Sequence, residues 1–467
     1  MLFPWRQYAD SASYQHRIAL RDEQGNLFTW AQLAARIAHY AAALRAQGVK
    51  AGDGIALQGK NNCRLVLLYL AAIELGVRVL GLNPAFPAEK AGCLCQRNRI
   101  RFYYSATAET LPNLTALSLP VGQADTLPDF ETGADFQRPA TMTLTSGSSG
   151  MPKAVVHHVQ AHLDNARGVC ELMAFGAQDC WLLSLPLYHV SGQGIIWRWL
   201  HAGAQLHVPA CDFYADVLQA SHVSLVPTQL RRLLAYIRQR HIAQFATRHI
   251  LLGGSHIPTE LTQQAQALGI QTYSGYGMTE MASTVFAKPS DRFAGVGRPL
   301  PGREFRLVNE EIWLRGAGLA LGYWQEDGIV AMVNPQGWLQ TKDKGLWQNN
   351  ELVVVGRLDN MFISGGENIQ PEEIEKIILG FEHVEQVFIL PVADDEFGQR
   401  PLAMVKFRDG FSQSAVENLT LWLADKLEKF KQPVRYLPLV PESWLQQGNI
   451  KISRAQLKAQ LAKLLGK

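Results

Sequence analysis

The stretch Thr141-Met-Thr-Leu-Thr-Ser-Gly-Ser-Ser-Gly-Met-Pro-Lys153, running on into Ala154-Val-Val-His-His158, decides how this chain is read. Thr141 to Thr145 alternates as a strand does, and Ala154-Val155-Val156 is apolar enough for a second strand or the approach to a helix. Between them stand two glycines, hydroxyl side chains from Thr145 to Ser149, one proline and Lys153. Glycine permits positive φ and close backbone approach, so successive N–H groups can line one concavity. Hydroxyls add donors, and the lysine adds a positive point charge. Thr145, Ser146, Gly147, Ser148, Ser149, Gly150 and Lys153 therefore compose a cradle for a polyphosphate. A flexible Ser/Gly surface loop is the competing reading. Lys153 directly after Pro152, near a strand end, favours the cradle. The G-x-x-x-x-G-K-[ST] loop is excluded, because Ala154 follows the lysine and the glycine spacing differs.

The rest of the chain bounds what such a cradle serves. A length of 467 residues exceeds one compact core, so two or more domains are expected. With 47% hydrophobic and 18% charged residues, the composition is that of a globular enzyme rather than a disordered chain. A net charge of +3 from 44 basic and 41 acidic residues is too even for a nucleic-acid or membrane-surface protein. The longest apolar stretch, Leu65 to Leu82, is broken by Glu74, Gly76 and Arg78, and reads as a buried helix running into a strand. Met1-Leu-Phe-Pro-Trp-Arg6 carries no apolar export region, so a cytoplasmic location is expected. Of six scattered cysteines only Cys93 and Cys95 are close, which suits reduced thiols. His158 and His162 could share a helix face, but Val159 stands where a zincin has glutamate.

Strand–helix–strand order runs through the first third. Thr29 caps a helix ending near Gly48, Gly54 to Gln58 is a strand, Asn62 to Leu75 a helix and Val77 to Leu82 a strand. That order argues for a parallel sheet covered on both sides. Trp181 to Leu187 reads as a buried strand delivering Tyr188-His189-Val-Ser191-Gly-Gln193. His189 suits a ligand crevice, with a satisfied core position as the competing reading that the residue alone favours. Arg198, between Trp197 and Trp199, needs an anion, either an Asp/Glu or a ligand carboxylate. Val223 to Thr228 and His249 to Gly253-Gly254-Ser255 repeat the strand-then-turn design. Tyr273 to Glu280 places a stacking ring (Tyr276), a phosphate donor (Thr279) and a magnesium ligand (Glu280) at one strand end, with a solvated glutamate as the alternative. Asp343 is expected in a turn, suited to ribose hydroxyls. A strand from Leu352 stops at Gly356-Arg357, where a domain boundary falls. Beyond it come a helix from Pro371, strands 384–392 and 402–407, a helix 419–430, a turn with Lys451 and a basic helix.

From Phe28 to Arg454 these stretches resemble, in order, the adenylate-forming superfamily: acyl-CoA and aryl-CoA ligases, peptide-synthetase adenylation domains and firefly luciferase. Its phosphate loop appears as Thr145 to Lys153, its Y-G-x-T-E motif as Tyr276 to Glu280 and its T-x-D-x-G motif as Thr341 to Gly345. Its hinge motif G-R-x-D is Gly356 to Asp359, and its late lysine is Lys451 in Ile450-Lys-Ile-Ser-Arg454. Two departures stand out. Phe362-Ile363 replaces the frequent I-K after the hinge, and Gly-Asn-Ile-Lys451 replaces the commoner G-K.

The resemblance implies an α/β fold. A large N-terminal domain (1–357) would hold two mostly parallel helix-covered sheets and a small β-rich subdomain. A small mobile α+β C-terminal domain (358–467) would turn on Asp359. It implies ATP held by the phosphate loop with Gly253, Gly254, Tyr276, Gly277, Asp343 and Arg357. Mg2+ would sit on Glu280, with Thr279, His189 and Lys451 catalytic and Gly365 and Gly366 on the coenzyme A side. Stretches such as Leu183 to Gly194, Ser224 to Gln229 and Phe362 to Pro371 are similar to the o-succinylbenzoate-activating CoA ligases of bacterial menaquinone synthesis. Arg198, Ser191, Gln193, Thr228 and Ser255 would then bind the acid. Other aryl- or short-chain acyl-CoA ligases remain an alternative. An amidase-signature serine hydrolase would need a lysine base upstream of the serines, and only Lys90 lies between Arg78 and Ser146. A non-catalytic nucleotide module would not need Glu280, Asp343 and Lys451. The expected partners are thus a small carboxylic acid, ATP and CoA, with no nucleic acid and no integral membrane association.

Overall fold

The structure is a computed structural model that describes residues 2–106, 110–120, 134–145, 152–254, 257–326, 328–364, 367–394, 397–439, 452 and 454–464. The helix starts follow side-chain chemistry. Thr29 Oγ1 accepts from the Gln32 N–H (3.3 Å) and Gln32 Oε1 from the Thr29 N–H (2.9 Å), a capping box that opens Trp30–Ala46. Asn62 Oδ1 accepts from the Leu65 N–H and starts Cys63–Glu74, every residue of which is buried except Arg64. An apolar helix so enclosed must lie between layers rather than on a surface.

Those layers are two eight-stranded sheets. In the first, the strands run Ser283–Pro289, Gln271–Met278, His249–Leu252, His222–Leu225, Cys180–Leu182, Gln205–His207, Ile18–Arg21 and Leu27–Thr29 from edge to edge. In the second the order is Gly328–Val330, Gly322–Gln325, Lys153–His158, Pro139–Thr145, Arg78–Leu82, Gly54–Gln58, Phe102–Ser105 and Thr115–Ala116. The interior pairs are parallel, and antiparallel pairs close both edges of the first sheet and one side of the second. Helix Val159–Met173 touches strands of both sheets, and Trp197 Nε1 on helix Val190–Ala202 donates to Tyr69 OH across the buried layer, 3.1 Å.

The chain divides into two compact units, residues 1–304 with 315–337, and residues 305–314 with 338–467. The second unit carries the long strands Leu339–Gln348 and Glu351–Arg357, then the antiparallel pair Val384–Asp394 and Gly398–Phe407, to which Arg435–Pro438 adds in parallel. Ile374, Ile378, Leu419 and Leu423 pack against that pair. The α/β architecture expected from the motifs is therefore the one observed.

Four local readings are corrected. The strand expected over 181–187 is only Cys180–Leu182, because Pro186 cannot donate to a ladder. Thr228 lies in the first turn of helix Pro227–Gln239, since proline is pre-set for a first helical position. The helix expected over 419–430 is Gln413–Leu423, opened by Ser412 accepting from the Ala415 N–H. Asp343 is not in a turn. It lies within a strand and pairs with Arg357.

Candidate active site

Segment 183–189, which leads to His189, has little secondary structure, and the Asn61 amide holds it at three points. Asn61 Nδ2 donates to Leu183 O (3.0 Å) and Leu185 O (2.8 Å), and Asn61 Oδ1 accepts from the Leu187 N–H (2.9 Å). Tyr188 then seats against the second sheet at Gly81, where an added Cβ would lie 2.6 Å from Tyr188 Cα. His189 is the N-cap of helix Val190–Ala202, half-buried, its ring 4.6 Å from that of Tyr188. Ser191 is half-buried in the first turn. Gln193 is buried, and its Nε2 donates to Thr143 Oγ1 at 3.0 Å, on the strand leading into the phosphate loop.

One turn further along the same helix lies Arg198, 1% exposed. Its Nη1 donates to Ser224 Oγ (3.4 Å), and Nη2 to Ser283 Oγ and Thr284 Oγ1 (3.2 Å each). Trp181 faces it, the guanidinium carbon 5.2 Å from the ring centroid. Among the described residues no carboxylate pairs with it, and Nε has no acceptor. Burial pushes its pKa down to about 10. The buried Arg303 is likewise pushed to about 10, by burial first and by Arg198 second. Of the two expected counter-charges, the internal Asp/Glu is not the one present. A buried guanidinium that meets hydroxyls and, among the described residues, no carboxylate is suited to a ligand carboxylate. Ser283, Thr284 and Ser224 were not legible as partners, since they lie 26 to 86 residues from Arg198.

The Tyr276–Glu280 motif sits where the first sheet turns at its edge. Gly277 is required there, because a Cβ would lie 2.0 Å from Ser283 O. Ala282 (φ 56°) and Ser283 (φ 131°) adopt backbone conformations that side chains disfavour. Asn165 Nδ2 secures the turn by donating to Met281 O (2.8 Å) and Thr284 O (2.9 Å). Thr279 and Glu280 are half-buried in the short 3-10 turn Thr279–Met281, and Tyr276 packs near Phe286 with ring centroids 6.2 Å apart. Gly253 and Gly254 follow the strand His249–Leu252. Where the strands Pro139–Thr145 and Lys153–His158 meet, Thr145 Oγ1 donates to Lys153 O at 3.3 Å and the Lys153 side chain is exposed. His157 lies on the strand Lys153–His158, and His162 on helix Val159–Met173 has its Nε2 2.7 Å from Thr141 Oγ1. Burial pushes the first to about 3 and the second well below its ordinary value, so both stay neutral.

In the second unit, Arg357 ties two expected site residues together. It donates to Asp343 Oδ1 (3.3 Å) and, through two nitrogens, to both oxygens of Asp359 (3.0 and 2.8 Å). Those bonds hold the Asp359 carboxyl below its ordinary range. Ser146, Gly147, Ser148, Ser149, Gly150, Ser255, Gly365, Gly366 and Lys451 lie outside the described residues. Thr228 is exposed.

Glu280 offers hard carboxylate oxygens, and among the described residues no basic side chain forms an ion pair with it. No group of three or more His, Cys, Asp or Glu side chains that could hold a metal occurs among those residues. A single carboxylate completed by phosphate oxygens fits Mg2+, which needs no all-protein cage. No helix among the described residues is long and apolar enough to cross a membrane.

The chain is 59% identical, over 99% of both chains, to a 2-succinylbenzoate–CoA ligase of Haemophilus influenzae. Its fold matches a variant of Escherichia coli MenE with bound OSB-AMS (TM-score 0.88, 44% identity, 99% of both chains). It also matches o-succinylbenzoate coenzyme A synthetase from Bacillus subtilis in complex with ATP and magnesium ion (TM-score 0.82, 25% identity, 93% of this chain and 95% of that one). The profile described as AMP-binding enzyme covers residues 8–324, and that described as AMP-binding enzyme C-terminal domain covers 373–446. The chain belongs to the AMP-binding enzyme family.

Proposed function

We propose that this chain joins 2-succinylbenzoate to coenzyme A in menaquinone biosynthesis, with ATP cleaved to AMP and diphosphate through an acyl-adenylate. The observation that carries the substrate is Arg198, a buried guanidinium answered by hydroxyls and, among the described residues, by no carboxylate. A dicarboxylic acid supplies what is missing: one carboxylate for Arg198, the other for activation. The 59% identity to a ligase of that name supports the same reading.

In the first half-reaction the succinyl carboxylate oxygen attacks the α-phosphorus of ATP, and the bond to the departing diphosphate breaks. Thr145 to Lys153 grips the β- and γ-phosphates, Thr279 the α-phosphate, and Lys451 offsets charge between nucleophile and phosphoryl group. Tyr276 stacks on the base, Asp343 and Arg357 hold the ribose side, and Gly253, Gly254 and Gly277 let the nucleotide approach the backbone. Glu280 would hold Mg2+, whose chemistry is to neutralise polyphosphate charge. Catalysis of this kind is positioning plus electrostatics.

In the second half-reaction the CoA thiol sulfur attacks the acyl carbon, AMP leaves with the bonding pair, and the thiol proton is released. His189 borders the acyl group, with Ser191, Gln193, Thr228 and Ser255 on the acid side. The segment after Arg357 turns about Asp359, withdrawing Lys451 and bringing Gly365 and Gly366 to the thioester side. A cytoplasmic location fits all three substrates.

ATP–pyrophosphate exchange against a panel of acids tests the substrate. Exchange is expected with 2-succinylbenzoate and about 100-fold less with benzoate or short-chain acids, because these leave a buried charge unanswered. Equal exchange with benzoate sinks the dicarboxylate assignment.

A further inference from the structure

Tyr323 belongs to none of the motifs, yet its side chain touches both groups that handle the triphosphate. It lies on strand Gly322–Gln325, which pairs antiparallel with Lys153–His158 and sets Tyr323 opposite Val155. The chain entering this strand is fixed twice. The Leu321 N–H donates to Val156 O and the Ala320 N–H to Glu280 O, each at 2.9 Å. From that position the phenol O–H donates to Glu280 Oε1 at 2.9 Å. The ammonium of Lys153 lies over the same ring, 5.3 Å from its centroid. Lys153 ends the phosphate loop on the second sheet, while Glu280 follows Gln271–Met278, the strand next to the edge of the first. One aromatic side chain therefore bridges the two.

A lysine and a glutamate at one ring would ordinarily neutralise each other. Among the described residues Lys153 and Glu280 form no ion pair. A phenol donating to a carboxylate fixes its orientation through a charge-assisted bond, and a ring face holds an ammonium without consuming its charge. The geometry points to Tyr323 as a positioning residue for the adenylation half-reaction: its hydroxyl aims the Glu280 carboxylate at a divalent cation, and its ring keeps the Lys153 ammonium apart from that carboxylate. This rests on Glu280 as the metal-holding residue.

Partners that orient a metal ligand typically shift metal affinity by about 10–100-fold when removed. The full-length Tyr323→Phe variant keeps the ring and loses the hydroxyl. The readout is the Mg2+ concentration that gives half of the thermal stabilisation by α,β-methylene ATP, measured beside the Mg2+ dependence of pyrophosphate exchange. Both midpoints are expected to rise about tenfold, with the KM for the acid unchanged. Tyr323→Leu removes the ring as well and should add a several-fold rise in the KM for ATP. Should the Leu variant fail to fold, the Phe variant alone decides. Glu280→Gln is measured in parallel. If it shifts the Mg2+ midpoint and Tyr323→Phe, melting like wild type without ligand, does not, the role of Tyr323 is overturned alone. If neither shifts it, the metal assignment falls too.

Discussion

Arg198 and Arg357 carry the same guanidinium in opposite settings. Arg357 has a side chain 41% exposed and already meets two carboxylates, Asp343 and Asp359. Arg198 is enclosed on all sides and meets three hydroxyls. A partly hydrated charge with two counter-ions is a tie within the protein, worth little by itself. A dehydrated charge with none is unfavourable until something anionic arrives, so selection can only have kept it for a ligand or a specific fold. On the proposed assignment of roles, the contrast is one of selectivity: the nucleotide side is built from groups that satisfy one another, and the acid side from a charge left open.

Removing the open charge gives the largest effect. Arg198→Ala should raise the KM for 2-succinylbenzoate about 10–100-fold, from the ~1.5–3 kcal/mol of a hydrogen bond to a charged group. The KM for ATP should move by less than about threefold. Steady-state pyrophosphate exchange reads both. An unchanged acid KM would make Arg198 a buried structural cation and erase the contrast with Arg357.

Why one half of this contrast was legible in the sequence follows from distance along the chain. Arg198 announced itself because a cation between Trp197 and Trp199 cannot be a surface residue. The expected cradle and the stretches around Glu280 and Asp343 are short motifs whose chemistry is local. The groups that finish the site are not local. Asn61 reaches 122 to 126 residues to hold the segment before His189, and Asn165 reaches more than 100 to hold the turn after Glu280. An asparagine in a helix or loop carries no local sign of such a bond, since its partners are backbone carbonyls found only after folding. The same holds for Tyr323. Asp343 was misplaced in a turn because an aspartate two residues before Gly345 suggests one, whereas pairing across to Arg357 keeps the strand going.

Histidines sharpen the comparison, because they can answer burial by giving up a proton and arginine cannot. Burial lowers His157 to about 3 and His222 to about 4. A folded-state pKa below the unfolded 6.5 means the unfolded chain binds protons first, so stability present above pH 6.5 is lost as pH falls toward 4. The expected loss is on the order of 1–3 kcal/mol, seen in denaturant unfolding at pH 7 and pH 4.5. His222→Gln should flatten part of that slope. Arg198, at about 10, contributes nothing to it. A pH-independent unfolding midpoint over this range would show the histidines to be hydrated.

The smallest effect is expected at Arg357. Its ion pairs are exposed enough that Arg357→Ala should change stability by less than about 1 kcal/mol and raise the KM for ATP by no more than about fivefold. The informative readout is the Asp359 carboxyl, held down chiefly by the hydrogen bonds from Arg357. A depressed carboxyl contributes stability above its unfolded value, and that contribution fades as pH falls through the folded one. Without the arginine, an NMR titration should find Asp359 shifted up toward its ordinary 3.8, with the stability it lends below neutrality correspondingly smaller. The two arginines then differ in kind. Arg357 would be felt mainly by its own neighbours in the second unit, and Arg198 mainly by the acid. An Arg357→Ala variant that lost as much affinity for the acid as Arg198→Ala would mean that these charges act as one field, and the division between nucleotide side and acid side would have to be redrawn.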